Sequence, residues 1–191
     1  VILDYAHTPD ALKYTLESIK EQFGQSSISI VFGCGGDRDK DKRSIMGKIA
    51  NQYCNKIFLT DDNPRYENPK KIRNQIKKRI NKSKLIEISS RKKAIATAVE
   101  NLKSGDILLV AGKGHEIYQE YNGKKKVFSD KKIILKEINY KNGKLFKNWK
   151  ANILKEKCNL SLINKNLKIN NASINSKNIK KNDIFFAIKG P

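Results

Sequence analysis

Through about the first 110 residues, short apolar runs alternate with longer segments whose apolar residues recur at helical spacing. No other feature of the chain constrains its fold as much. Val1–Leu3, Ile28–Phe32, Lys56–Thr60, Leu85–Ile88 and Asp106–Ala111 read as strands. Between them, Ala11–Phe23 carries Leu12, Leu16, Ile19 and Phe23 at a helical period, and a second helix runs through Ile45, Met46, Ile49 and Tyr53. Pro69–Ile80 aligns Ile72, Ile76 and Ile80 on one face, and Gly105 closes a helix over Arg91–Leu102. Thr8 is placed to cap the first helix, with Pro9 at its first position. Such alternation predicts an α/β fold, a mostly parallel sheet with helices on both faces. Tyr118–Tyr121 and Lys125–Phe128, joined across Asn122-Gly123, then form a C-terminal hairpin, followed by a last helix over Asp130–Tyr140.

A parallel sheet gathers its functional loops at the carboxyl ends of its strands. Four loops meet that condition, after Leu3, Phe32, Thr60 and Ala111, and each carries charge or glycine. In Asp61-Asp62-Asn63-Pro64-Arg65, Pro64 stops a helix from forming through the turn. Asp62 offers an acceptor to an ammonium and Arg65 a planar fork to a carboxylate, a pairing suited to a small zwitterion. A polar turn with a helix cap would use the same residues. Gly33–Lys40 and Gly112-Lys113-Gly114 both lack the Gly-Lys-Ser/Thr ending of a phosphate loop. They offer unobstructed backbone N–H groups beside Arg38, Lys40 and Lys113, an anion-friendly edge, although tight strand-to-helix turns also need glycine. Asp4 suits either a helix cap or a ribose acceptor, and His7 either the surface or the side of a nucleotide. His115-Glu116 is not a metal pair, because adjacent residues on a short turn point apart; Glu116 can instead take an ammonium.

The chain has 191 residues, enough for one domain with a core and part of another. It starts at Val1 without Met and stops at Gly190-Pro191, so both ends are expected to be cuts through a longer protein. A net charge of +21 raises nucleic acid as a partner. The lysines are scattered over nearly every helix and loop, with no aromatic-interleaved basic stripe, which points to the composition of exposed faces. A basic nucleic-acid-binding fragment is the alternative, and a steep salt dependence is its signature. Cys34, Cys54 and Cys158 are odd in number and lack metal-ligand spacing, which favours a reducing compartment and no structural metal. No apolar run is long enough to span a bilayer, so no membrane partner is expected. From Lys141 the pattern changes to a linker or opening helix over residues 141–159, and 160–191 is too short to bury a core by itself.

Asp4-Tyr5-Ala6-His7-Thr8-Pro9, Gly33-Cys34-Gly35-Gly36-Asp37-Arg38-Asp39-Lys40 with Lys42-Arg43, Asp61-Asp62-Asn63-Pro64-Arg65, Gly112-Lys113-Gly114-His115-Glu116 and Ser129-Asp130 stand in an order that resembles the C-terminal domain of the Mur ligases. Among them, the match is to the diaminopimelate-adding members, and it covers about residues 1–140. The resemblance implies a Rossmann-like domain that closes over ATP and carries the incoming amino acid. It implies a cytoplasmic, ATP-dependent amide ligation in peptidoglycan precursor synthesis, in which meso-diaminopimelate is added to UDP-N-acetylmuramoyl-L-alanyl-D-glutamate. On that likeness Arg38, Asp62, Asn63, Pro64, Arg65, Gly112 and Glu116 hold diaminopimelate, Asp4 and His7 face the nucleotide, and Lys40 is the catalytic cation on its phosphate side. Arg65 argues for diaminopimelate over lysine, which lacks the second carboxylate. The phosphate loop, the Mg2+ ligands and the UDP-sugar domain are expected in domains outside this stretch, so the chain alone is expected to be inactive. The tail, from Ala172-Ser173-Ile174-Asn175-Ser176-Lys177 to Lys181–Gly190, resembles the opening of another Mur ligase, the D-alanyl-D-alanine-adding one. It departs from the family pattern at Asn175-Ser176-Lys177 and Lys181-Asn182-Asp183.

Overall fold

The computed structural model describes residues 1–147, 171–173 and 183–185. Five strands, β1 (Ile2–Leu3), β2 (Ile28–Phe32), β3 (Lys56–Leu59), β4 (Leu85–Glu87) and β5 (Ile107–Val110), form one sheet in the order β1-β5-β2-β3-β4. Every neighbouring pair in it is parallel. The connecting helices are α1 (Pro9–Phe23), α2 (Asp41–Tyr53), α3 (Pro69–Ile76) and α4 (Arg91–Asn101). Their starts are set by side chains. Thr8 Oγ1 accepts from the Ala11 N–H, Asn68 Oδ1 from Lys70 and Lys71, and Ser90 Oγ from Lys93.

Successive strand residues point to opposite faces, and both faces are covered. Ile28, Ile30, Phe32, Ile57, Leu59 and Leu109 join a core with Leu12, Leu16 and Ile19 of α1, Met46 and Ala50 of α2, and Ile72 and Ile76 of α3. The alternate residues Val31, Phe58, Leu108 and Val110 are also fully buried, and α4 packs on β2, β3 and β5 with Ala94, Ile95, Ala98 and Val99 buried. The α/β architecture read from the alternation is the one the chain adopts.

Two elements differ from the sequence expectation. The helix expected over Pro69–Ile80 ends at Ile76 and tightens into a 3-10 turn over Lys77–Arg79. That turn leaves its three basic residues unburied and still delivers Ile80 to the core. The last helix, α5 (Asp130–Lys147), continues past the Tyr140 end expected for it, so the segment expected as a linker or opening helix begins as helix. No proline intervenes there, and Gly143 costs a helix only about 1 kcal/mol.

β6 (Tyr118–Tyr121) and β7 (Lys124–Val127) pair antiparallel, and Asn122 and Gly123 at their turn have φ of 48° and 71°. Positive φ at both central residues is what a two-residue hairpin turn needs. The chain divides into two compact units, Val1–Glu137 and Ile138–Pro191. In the second, β8 (Asn171–Ser173) and β9 (Asp183–Phe185) pair in parallel. Lys177 and most of the segment compared with a second ligase lie outside the described residues. Among the described residues, no helix is long and apolar enough to cross a membrane.

Candidate functional site

Because all five strands run the same way, the loops after β1, β2, β3 and β5 open at one edge of the sheet. Backbone hydrogen bonds join them. The Gly36 N–H donates to the Asn63 carbonyl at 2.9 Å, and the Gly112 N–H to the Asp4 carbonyl at 3.2 Å. The Lys42 ammonium donates to the His7 carbonyl at 3.0 Å.

The loop after β3 is buried, and its neighbours fix its shape. Thr60 Oγ1 and the Asp61 N–H both donate to the Ser89 carbonyl. The Asp61 carboxylate is taken by Arg73 and by the Tyr121 hydroxyl, so it acts as an anchor. Asn63 is used on both sides of its amide: Nδ2 donates to Glu116 at 3.0 Å, and Oδ1 accepts from Lys113 Nζ and the Glu120 N–H. Asp62 differs from both. Its Oδ1 accepts from the Asn63 N–H at 2.7 Å, while Oδ2 is buried with no hydrogen-bond partner. A Cβ on Gly112 would lie 3.2 Å from that oxygen, so the glycine, at φ 107°, leaves open the space in front of it.

Arg65 completes the loop in a left-handed conformation, φ 52°, which a long side chain rarely adopts. The hairpin holds it there. The Arg65 N–H donates to the Glu120 carbonyl, and the Asn122 N–H donates to the Arg65 carbonyl at 2.7 Å. Its Nη1 donates to the Gly36 carbonyl at 2.7 Å, and its Nε lies 3.8 Å from the Glu120 carboxylate. Gly36 has no room for a side chain, since a Cβ would overlap the Pro64 carbonyl oxygen.

Glu116 is held by Lys113 at 2.8 Å and by Asn63. Burial alone would raise its carboxyl pKa, but these two partners bring it below the ordinary value. Lys113 corrects one expectation. Read from the sequence as a cation on an anion-facing edge, it is fully buried and committed to Asn63 and Glu116.

The other edge of the cluster is more open. Arg38 and Lys40 are exposed at the start of α2, with Arg38 donating only to the Asp37 carbonyl. His7 is exposed, its Nδ1 donating to the Tyr5 carbonyl, and the Tyr5 ring stands 4.6 Å from His7 and 5.3 Å from His115. Asp4 does not cap α1, a role that Thr8 fills. Its Oδ1 accepts from the Ala6 N–H and its Oδ2 from the Thr15 hydroxyl.

The described residues thus join a buried carboxylate oxygen without a hydrogen-bond partner, a clamped arginine and a ring-lined basic edge on one domain. The family described as "Mur ligase, glutamate ligase domain" matches residues 1–114 of the sequence. The chain belongs to the Mur ligase family. It is 51% identical over 139 residues to the UDP-N-acetylmuramoyl-L-alanyl-D-glutamate--2,6-diaminopimelate ligase of Rickettsia rickettsii, covering 72% of this chain and 29% of that protein. The enzyme of the same name from Cytophaga hutchinsonii is 49% identical over 141 residues, with 72% and 29% covered. A solved structure of a ligase of this name superposes with a TM-score of 0.68 at 43% identity, over 72% of this chain and 28% of that one. The chain therefore spans under a third of the length of the curated relatives it matches.

Three residues of this Mur ligase domain were not singled out for a role by the sequence reading. Arg91 is fully buried and grips Asp130 through Nε at 2.9 Å and Nη2 at 2.7 Å, with Nη2 also donating to the Ala111 carbonyl. Gln119 donates from its side chain to the carbonyls of Asp61 and Asp62. Arg91 opens α4 beside Lys92 and Lys93, and nothing in that basic run distinguishes it. The available signals were Ser129-Asp130 among the blocks that resemble the family, which carried no role, and the place of Asp130 at the start of a helix, which is equally an ordinary feature of helix termini.

Proposed function

We propose that this chain is the amino-acid-binding and nucleotide-facing domain of a cytoplasmic ligase in peptidoglycan precursor synthesis. The reaction is the ATP-dependent addition of meso-diaminopimelate to UDP-N-acetylmuramoyl-L-alanyl-D-glutamate. One observation carries the reading: a buried Asp62 oxygen without a hydrogen-bond partner shares a loop with the Arg65 guanidinium, so both signs of charge are offered from one rigid turn. The names of the curated relatives support it. Asp62 and Glu116 face an ammonium in this account, Arg65 and Arg38 face a carboxylate, and Asn63, Pro64 and Gly112 shape the wall between them.

ATP supplies the phosphoryl group that activates the D-glutamyl carboxylate. Toward it the domain turns Lys40 and the His7 edge, with Asp4 behind them as the support of the loop after β1. Among the described residues no three His, Cys, Asp or Glu side chains gather as a metal site. The Mg2+ ligands and the phosphate loop are assigned to the central domain of the longer ligase. The tail is read as the opening of the UDP-sugar domain of a D-alanyl-D-alanine-adding ligase in the same polypeptide.

ADP release by the full-length ligase carrying this domain tests the proposal. Release should require both the UDP-sugar dipeptide and meso-diaminopimelate, with lysine a poor replacement. Equal turnover with lysine would overturn the substrate assignment.

A further inference from the structure

Each of the three acids nearest the loop after β3 has a buried or half-buried basic partner, but the balance differs among them. Glu116 is matched by Lys113, and Asp61 by Arg73, whose second carboxylate, Glu87, has Lys77 as well. Asp62 has only Arg91, whose Nη1 stands 3.7 Å from Asp62 Oδ2, and neither atom makes a hydrogen bond. That guanidinium is already occupied, because Asp130 takes Nε and Nη2 in a two-pronged contact. Burial alone would lower the Arg91 pKa, and the bonds to Asp130 together with the nearby Asp62 raise it instead, so the cation is firmly charged. One cation and two carboxylates, all buried, leave one negative charge over. It falls on the only carboxylate oxygen among the buried atoms described that lacks a hydrogen-bond partner.

We propose that Asp130 is a positioning residue that withholds Arg91 from Asp62 and so reserves the Asp62 charge for the ammonium of the incoming amino acid. The proposal rests on the zwitterion reading of the site. A charge-assisted contact closes at about 2.7–2.9 Å, so Nη1 needs to move only about 1 Å to pair with Oδ2. Asp130 holds it back by gripping the other two nitrogens, and the Ala111 carbonyl fixes the plane of the fork. Without the Asp130 charge, Arg91 swings onto Asp62, the cluster becomes neutral, and of the two carboxylates facing the ammonium the site keeps only Glu116, which Lys113 already balances. The residue lies on α5, remote in sequence from the loop it serves.

The test is Asp130→Asn in the full-length ligase, alone and combined with Asp62→Asn, with KM measured separately for diaminopimelate and ATP. The single change should raise the diaminopimelate KM about tenfold or more, as the loss of a charge-assisted bond does, with the ATP KM unchanged. Added to Asp62→Asn it should cost nothing further, because the charge it protects is already gone. Additive losses, or equal rises in both KM values, would reduce Asp130 to a structural support and overturn the proposal. Should Asp130→Asn fail to fold, Arg91→Lys carries the test. Its single ammonium stays with Asp130, so the diaminopimelate KM should remain within about threefold of the parent. A tenfold rise there with an unchanged ATP KM would mean that Arg91 orients Asp62 directly. A parent enzyme that does not use diaminopimelate overturns both readings, whereas a parent that uses it with an unaffected Asp130→Asn variant overturns this one alone.

Discussion

The Gln119 side-chain nitrogen donates to the Asp62 carbonyl oxygen across 2.7 Å, so a hairpin strand sets the backbone of the loop that ends β3. The same nitrogen reaches the Asp61 carbonyl at 3.2 Å, and all three residues are buried. Gln119→Leu leaves these carbonyls without that donor in a water-poor setting. It should lower stability by about 1–3 kcal/mol in denaturant unfolding and raise the diaminopimelate KM of the full-length ligase. A variant as stable as the parent would show that water replaces the amide.

What the sequence disclosed and what it hid divide along a physical line. Period-2 and period-3.6 patterns report burial, so Ile28–Phe32, the Ile72–Ile76 face and the Asn122-Gly123 turn were all legible. The parallel alternation by itself also puts the loops of Asp62, Arg65, Gly112 and Asp4 at one edge. Hidden were the partners of buried charge. Lys113 and Arg91 sit among many lysines and arginines, and only tertiary packing distinguishes these two, with Arg43 and Arg73, from the basic residues that stay at the surface. The end of α5 was missed for another reason, since a polar composition after Tyr140 is compatible with both helix and linker.

Gly36 is a steric test of the contact between the loops after β2 and β3. Its N–H donates to the Asn63 carbonyl, its carbonyl accepts from Arg65, and a Cβ would overlap the Pro64 carbonyl oxygen. Gly36→Ala should therefore push the two loops apart. A stability loss of about 1–3 kcal/mol is expected, with a rise in the diaminopimelate KM larger than any rise for ATP. Unchanged thermal unfolding and kinetics would show that the loops are not locked together.

The acid limb of stability should carry the signature of Glu67. Hydrogen bonds from buried Arg43, with the Asp37 N–H assisting and burial opposing, lower its carboxyl pKa from 4.5 to about 2. A depressed acid stabilises the fold above its ordinary pKa, and the contribution is lost as pH falls from about 4.5 toward 2. Glu67→Gln should thus be less stable than the parent at neutral pH, with the gap closing over that window in denaturant titrations. A gap independent of pH would contradict the pairing.

Cys34 and Cys54 are buried, and burial pushes both thiols up to about 12. Since the thiolate is the reactive form, neither should be alkylated by iodoacetamide at neutral pH in the folded protein, and both should react in denaturant. Peptide mapping by mass spectrometry reads each site separately. Rapid labelling of Cys34 under native conditions would mean that the loop after β2 opens readily.

Arg65 bears the central claim, that the loop after β3 selects its amino acid by charge. The residue is held at φ 52° by the hairpin, and its guanidinium is held by the Gly36 carbonyl. The direct measurement is kcat/KM of the full-length ligase for meso-diaminopimelate and for lysine, before and after Arg65→Ala. Loss of a charge-assisted contact of about 1.5–3 kcal/mol should raise the diaminopimelate KM by roughly 10-fold to 100-fold. Lysine, with no second carboxylate, should lose much less, so the ratio between the two substrates shrinks. Arg65→Lys should restore little of it, because a point charge does not reproduce the fork, and a change at exposed Lys92 should alter neither substrate. If Arg65→Ala leaves the ratio of the two kcat/KM values unchanged, the loop does not select the substrate, and diaminopimelate loses its support over lysine.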